Sequence, residues 1–130
     1  MNYRHGDLAL IGIDRLPEYL IQSPTMTLMT GRGGNHHMAG SGKVYLKSDN
    51  QQCNEWGGKA LVNLGATGID KPESIDHIGY FSAPRGCELY HPDHGENVEK
   101  GTRVAEIDDG FYALLKQMED TNDGMKPVVD

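Results

Sequence analysis

Cysteine is nearly absent from this chain: Cys53 and Cys87 are the two in 130 residues. Neither belongs to a Cys-x-x-Cys pair, which excludes a thiolate zinc knuckle. Their number alone leaves one disulfide open. Positive charge is also scarce. Twelve Lys and Arg stand against nineteen Asp and Glu, a net charge of −7. The basic residues are scattered (Arg4, Arg15, Arg32, Lys43, Lys47, Lys59) and form no stripe. Displacing counterions from phosphates needs a basic surplus, so general nucleic-acid binding is not expected and an anionic membrane surface is disfavoured. No apolar run approaches the roughly 18 residues of a membrane span. No apolar h-region follows Met1–Asp7, so no signal peptide is expected. The expected location is the cytoplasm, where both thiols stay reduced.

Hydrophobic residues make up 37% of the chain, which limits the core to a modest one, while 24% charged residues do not suggest wholesale disorder. The length suits a single domain, 1–130. Seventeen glycines and six prolines imply many turns and short strands. Asp7 to Ile13 (DLALIGI) reads as a first strand, and Thr25 to Thr30 (TMTLMT) alternates with period two. Gly31 to Gly42, with five glycines in twelve residues, reads as loop or tight turn. Lys43 to Lys47, His77 to Ala83, Cys87 to His91 and Arg103 to Ile107 read as further strands. The stretch 48–76 lacks periodicity and reads as an irregular excursion, with one short strand around Ala60 to Leu64. Asp109-Gly110 predicts a hairpin-type turn, because Asp-Gly accepts positive φ cheaply. Phe111 to Glu119 has the composition of a helix, but that turn favours a strand paired with 103–107. Met125 to Val129 reads as a closing edge strand, confined to an edge by Pro127. Seven or eight short strands predict an all-β fold, a small barrel or sandwich. A cupin-like barrel is an analogy of architecture only, since the cupin His-x-His spacing with a following Glu is missing.

The chemical signal lies in the histidines. Four of six fall in two pairs, His36-His37 and His91-Pro92-Asp93-His94. Imidazole is the commonest metal ligand, and two or three around one divalent ion make an open site. His36, His37, His91 and His94 are therefore candidate ligands of a divalent transition-metal ion, with Asp93 and Glu96 as oxygen ligands or acceptors that fix a ring tautomer. If segment 36–37 is extended, its two side chains point to opposite faces and at most one reaches a shared site. Solvated surface is the competing reading of all four. His77 reads as structural, Cys87 as a core residue and Trp56 as a pin for the excursion, while Asp7 reads as the end of a turn or a functional group. Gly40-Ser41-Gly42-Lys43 suggests a phosphate loop but fails, because the pattern needs Gly where His37 stands and Ser or Thr where Val44 stands.

Arg4-His5-Gly6-Asp7-Leu8, the His36-His37 region and Leu89-Tyr90-His91-Pro92-Asp93-His94 run in order along the chain. Gly110-Phe111-Tyr112, Lys116-Gln117-Met118-Glu119 and Val128-Val129-Asp130 follow. In this order they resemble a loosely defined, largely uncharacterised group of small proteins from phages, prokaryotes and their mobile elements. That group shows a His-Gly-Asp start, a histidine-bearing turn and a His-x-x-His motif. The first motif there is usually Gly-His-x-His, whereas the two histidines here are adjacent. The resemblance implies a compact β-barrel with two clustered histidine motifs and brings no established activity.

Three readings of function follow. The first is a metal-binding β-protein, with hydrolysis as the leading reaction class if it is an enzyme. The second is a non-enzymatic structural or interaction protein of a phage or mobile element that forms a homo-oligomer or binds a protein partner. The third is metal-free acid–base cleavage of a phosphodiester by two histidines beside Arg32 and Lys43.

Overall fold

The apolar run that follows Asp7 is buried almost throughout, because the sheet it joins is covered on both faces. A computed structural model describes residues 1–30, 36–91, 102–116, 118–121 and 124–127. Its strands are β1 (Tyr3–His5), β2 (Leu8–Ile13), β3 (Thr27–Thr30), β4 (His36–Ala39), β5 (Lys43–Leu46) and β6 (Asp76–Ala83). They continue with β7 (Cys87–His91), β8 (Thr102–Ile107), β9 (Gly110–Lys116), β10 (Met118–Thr121) and β11 (Gly124–Pro127). One antiparallel sheet has the order β1-β2-β9-β6-β5, a second has β3-β4-β7-β8, and β10-β11 form a separate pair.

The two larger sheets pack face to face. Leu8 and Leu10 of β2, Val44 of β5, Phe81 of β6 and Tyr112 and Leu114 of β9 meet Leu28, Met29, Ala39, Cys87, Leu89 and Ile107 in one core. Alternate residues of the five-stranded sheet (Ala9, Ile11, Ile13, Tyr80, Ala113, Leu115) face the other way. That second face is covered by the excursion, through Leu61 and Leu64 with Trp56, Ile69 and Ile75 packed around them. Each fully buried Leu or Phe contributes about 1.5–3 kcal/mol, so both faces matter to stability.

The all-β expectation holds, in its sandwich form. Among the described residues neither sheet closes on itself, so no barrel forms. Several local expectations need correction. Residues 36–39, read as glycine-rich loop, are strand β4, paired with both β3 and β7. The short strand expected at 60–64 is instead helix α1 (Gly58–Asn63). Gly58 permits its docking, since a Cβ there would lie 2.3 Å from the Pro72 carbonyl oxygen. Phe111 to Lys116 is strand, but Asp109-Gly110 does not fold it back on β8. The chain crosses there from one sheet to the other, and β9 enters between β2 and β6. Among the described residues, 124–127 pair only with β10.

Candidate functional site

The His-Gly-Asp start builds the first part of the site. His5 pairs with Leu8, so Gly6 and Asp7 form a two-residue hairpin turn. Gly6 supplies a φ of +58°, the left-handed value a tight hairpin needs. The turn carries the Asp7 carboxylate into the interior, where its Oδ1 lies 3.0 Å from His37 Nε2. Both side chains are buried. A carboxylate can only accept, so Nε2–H donates to Asp7, and this hydrogen bond holds the ring orientation.

The sheet ladder supplies His91. Met38 lies opposite Tyr90 and Ala39 opposite Leu89, so one further step sets His37 across from His91. The two rings are 4.8 Å apart between centroids and inclined at 49°. Two distant stretches of chain therefore bring imidazoles together beside a buried carboxylate.

Adjacent strand residues face opposite ways, and His36 accordingly leaves this cluster. Its Nδ1 is 3.2 Å from Thr30 Oγ1, and the ring lines a cavity of about 610 Å³ at the seam between β3 and the β5–β6 edge. His94, Asp93 and Glu96 lie outside the described residues, as do Pro92 and Arg32. Among the described residues, no group of three or more His, Cys, Asp or Glu is arranged to hold a metal ion. The cluster thus offers two imidazoles, with Asp7 behind one of them.

His77 is structural, as its sequence position suggests. Its Nδ1 accepts the Gly57 N–H at 3.1 Å, and its Nε2–H donates to the Gly79 carbonyl at 2.9 Å. Burial, with Lys47 nearby, pushes its pKa down to about 4 against the pull of the Gly79 hydrogen bond. Trp56 stacks on His77 and Tyr80 at 4.7 and 5.1 Å and pins the excursion. Cys53 and Cys87 are free thiols. Cys87 packs in the inter-sheet core, where burial raises its pKa.

Asp7 is the residue that sequence reasoning undervalued. Gly6-Asp7 ahead of an apolar strand marked a turn, but not that its carboxylate would be buried. No described helix is long and apolar enough to cross a membrane. No protein-family model, curated protein or solved structure matches the chain.

Proposed function

We propose that this chain binds a divalent transition-metal ion through His37 and His91, with Asp7 fixing the His37 tautomer. The 4.8 Å separation of the two rings carries this reading. With a metal–nitrogen bond of about 2.0–2.1 Å, each ring centre lies about 3.2 Å from the ion, and tetrahedral ligands then set ring centres about 5 Å apart. With Nε2 engaged by Asp7, His37 would ligate through Nδ1. A carboxylate hydrogen-bonded to the second nitrogen is the usual companion of a ligating imidazole. Two protein donors leave positions for water and substrate, which makes hydrolysis the leading reaction class. His94, three residues beyond His91 in sequence, is the further candidate donor.

Dialysis against zinc or cobalt, elemental analysis and thermal denaturation test this. About one equivalent of metal and a raised Tm are expected, since a ligand that binds only the native state stabilises it. His91→Ala should abolish both effects. Less than about 0.1 equivalent in the wild-type chain, with no thermal shift, overturns the proposal.

The Asp7–His37 hydrogen bond favours a second reading. An imidazole oriented by a carboxylate is also the arrangement of a general base. Phosphodiesterase activity that survives exhaustive chelation and disappears in Asp7→Asn would select it over the metal site.

A partner-binding role is the competing non-enzymatic reading. Among the described residues β10-β11 share no ladder with either large sheet, and unpaired strand edges are templates for another chain. A stable closed oligomer in light scattering would favour this reading, and a monodisperse monomer would weaken it.

A further inference from the structure

The basic residues, scattered in sequence, are partly gathered by the fold. Arg4, Lys71 and Lys116 line one cavity of about 290 Å³ on the outer face of the five-stranded sheet. Its floor is apolar: Ala9 of β2 and Leu115 of β9, with Ile69 and Ile75 of the excursion beside them. Both sides are anchored. Asn2 accepts the Gly12 N–H at 2.9 Å and donates to the Thr67 carbonyl at 2.9 Å, which ties the chain before Gly68 to β2. The turn Pro72–Ser74 is backed by α1, and Gly58 lets the two come together. The volume lies at the small end of small-molecule sites.

Charge sets this cavity apart. The chain carries −7 overall, yet three of its twelve basic residues line the cavity against one acidic residue, Asp70, a local balance of +2. None of the three cations has an ion pair among the described residues. Asp76 stands opposite Lys116 in the β6–β9 ladder, but it lines the separate cavity beside His36 and makes no ion pair with Lys116. Gathering like charges without partners costs energy that an anion would recover. Arg4 lies opposite Ala9, and Ala9 opposite Leu115. Cross-strand partners share a face, so the Arg4 side chain rises beside the apolar floor.

We propose that this cavity binds a small phosphate monoester with an apolar group, its phosphate among Arg4, Lys71 and Lys116 and its apolar group on the Ala9–Leu115 floor. A guanidinium pairs bidentately with phosphate, and each lysine adds a point charge. A phosphate monoester is close to dianionic above its second pKa of about 6, which matches the local +2; a carboxylate carries half that charge. The floor rewards an apolar group by taking its surface out of water. The site shares no residue with the His37–His91 cluster, so it stands or falls separately.

Isothermal titration of the full chain with phenyl phosphate at about pH 7.5 in EDTA is the test, with inorganic phosphate and benzoate as controls. EDTA removes any ion at the histidine cluster that would itself attract phosphate. Phenyl phosphate should bind saturably at one site, and its affinity should fall severalfold as salt is raised. Inorganic phosphate, which lacks the ring, should bind about fivefold more weakly or not at all. Benzoate, with one charge, should be weaker by about the same factor. Arg4 and Lys71 are exposed, so Arg4→Gln and Lys71→Gln should keep a native circular dichroism spectrum. They should weaken phenyl phosphate binding about tenfold and about threefold respectively. The proposal is overturned if phenyl phosphate does not saturate, if inorganic phosphate or benzoate binds as tightly, or if the two substitutions together leave the affinity unchanged.

Discussion

His37 and His77 are equally buried, each 3% exposed, yet different groups meet their ring nitrogens. Backbone occupies both nitrogens of His77: an N–H from Gly57 and a carbonyl from Gly79. That pattern needs one proton on the ring and no charge. His37 has a carboxylate on one nitrogen and a second imidazole against its face. His77 thus holds loops to a sheet, whereas His37 lies between a carboxylate and a second imidazole, the surroundings on which the proposed metal site rests. Burial alone does not separate these roles; the chemistry of the partners does.

The largest effect expected from this contrast is on stability against pH. His77 titrates near 6.5 when unfolded and near 4 when folded, so between those values the unfolded chain binds more protons. Its contribution is complete above about pH 6.5 and is lost as pH falls toward 4, a change of about 3 kcal/mol. Urea denaturation across pH 4–7 measures it. His77→Leu should be less stable at pH 7, with the Gly57 N–H and Gly79 carbonyl left unpaired, and should show a flatter profile. An unchanged slope in that variant would place the pH dependence elsewhere.

Metal addition comes next. At a free concentration of about 100 times Kd, an ion bound only to the native state adds about 2.7 kcal/mol. His91→Ala should lose this gain and His77→Leu should keep it; the reverse result would exchange the roles assigned to the two buried rings. Asp7→Asn should lower metal affinity about 10- to 100-fold while leaving both imidazoles in place, as read by competition with a chelating dye. The smallest effect should come from His36→Ala. Its ring points away from His37, so metal affinity should be unchanged and stability should move by less than about 0.5 kcal/mol.

Strands were legible where local pattern and burial agree. Cys87 to His91 alternates in burial over its first residues, and Lys43 to Leu46 is a short apolar run bounded by polar residues, both legible as strands. His36–Ala39 was misread because five glycines in twelve residues dominate that stretch. Its strand conformation comes from β3 and β7 on either side, and sequence order does not display such pairing. Helix α1 has six residues, too few for a 3.6-residue period to stand out. The Asp109-Gly110 dipeptide suggested a hairpin turn, but the chain only bends there and Gly110 already opens β9, because dipeptide chemistry does not specify which sheet receives the next strand. For the site, the histidine pairs and the opposite faces of His36 and His37 were readable. The burial of Asp7 was not, because a hairpin turn is ordinarily solvated and only the opposing sheet turns this one inward.

The middle position of β9 bears on how the molecule is made. Its ladder partners are residues 8–13 on one side and 76–83 on the other, all synthesised well before it. Without β9, the ladders of the larger sheet reduce to two separate pairs, β1-β2 and β5-β6, whose inner edges have no partner in the final pairing. Contacts so far apart in sequence form slowly. Chain made before β9 therefore lacks the strand that joins the two halves of the sheet, and those edges are the ones chaperone protection would cover.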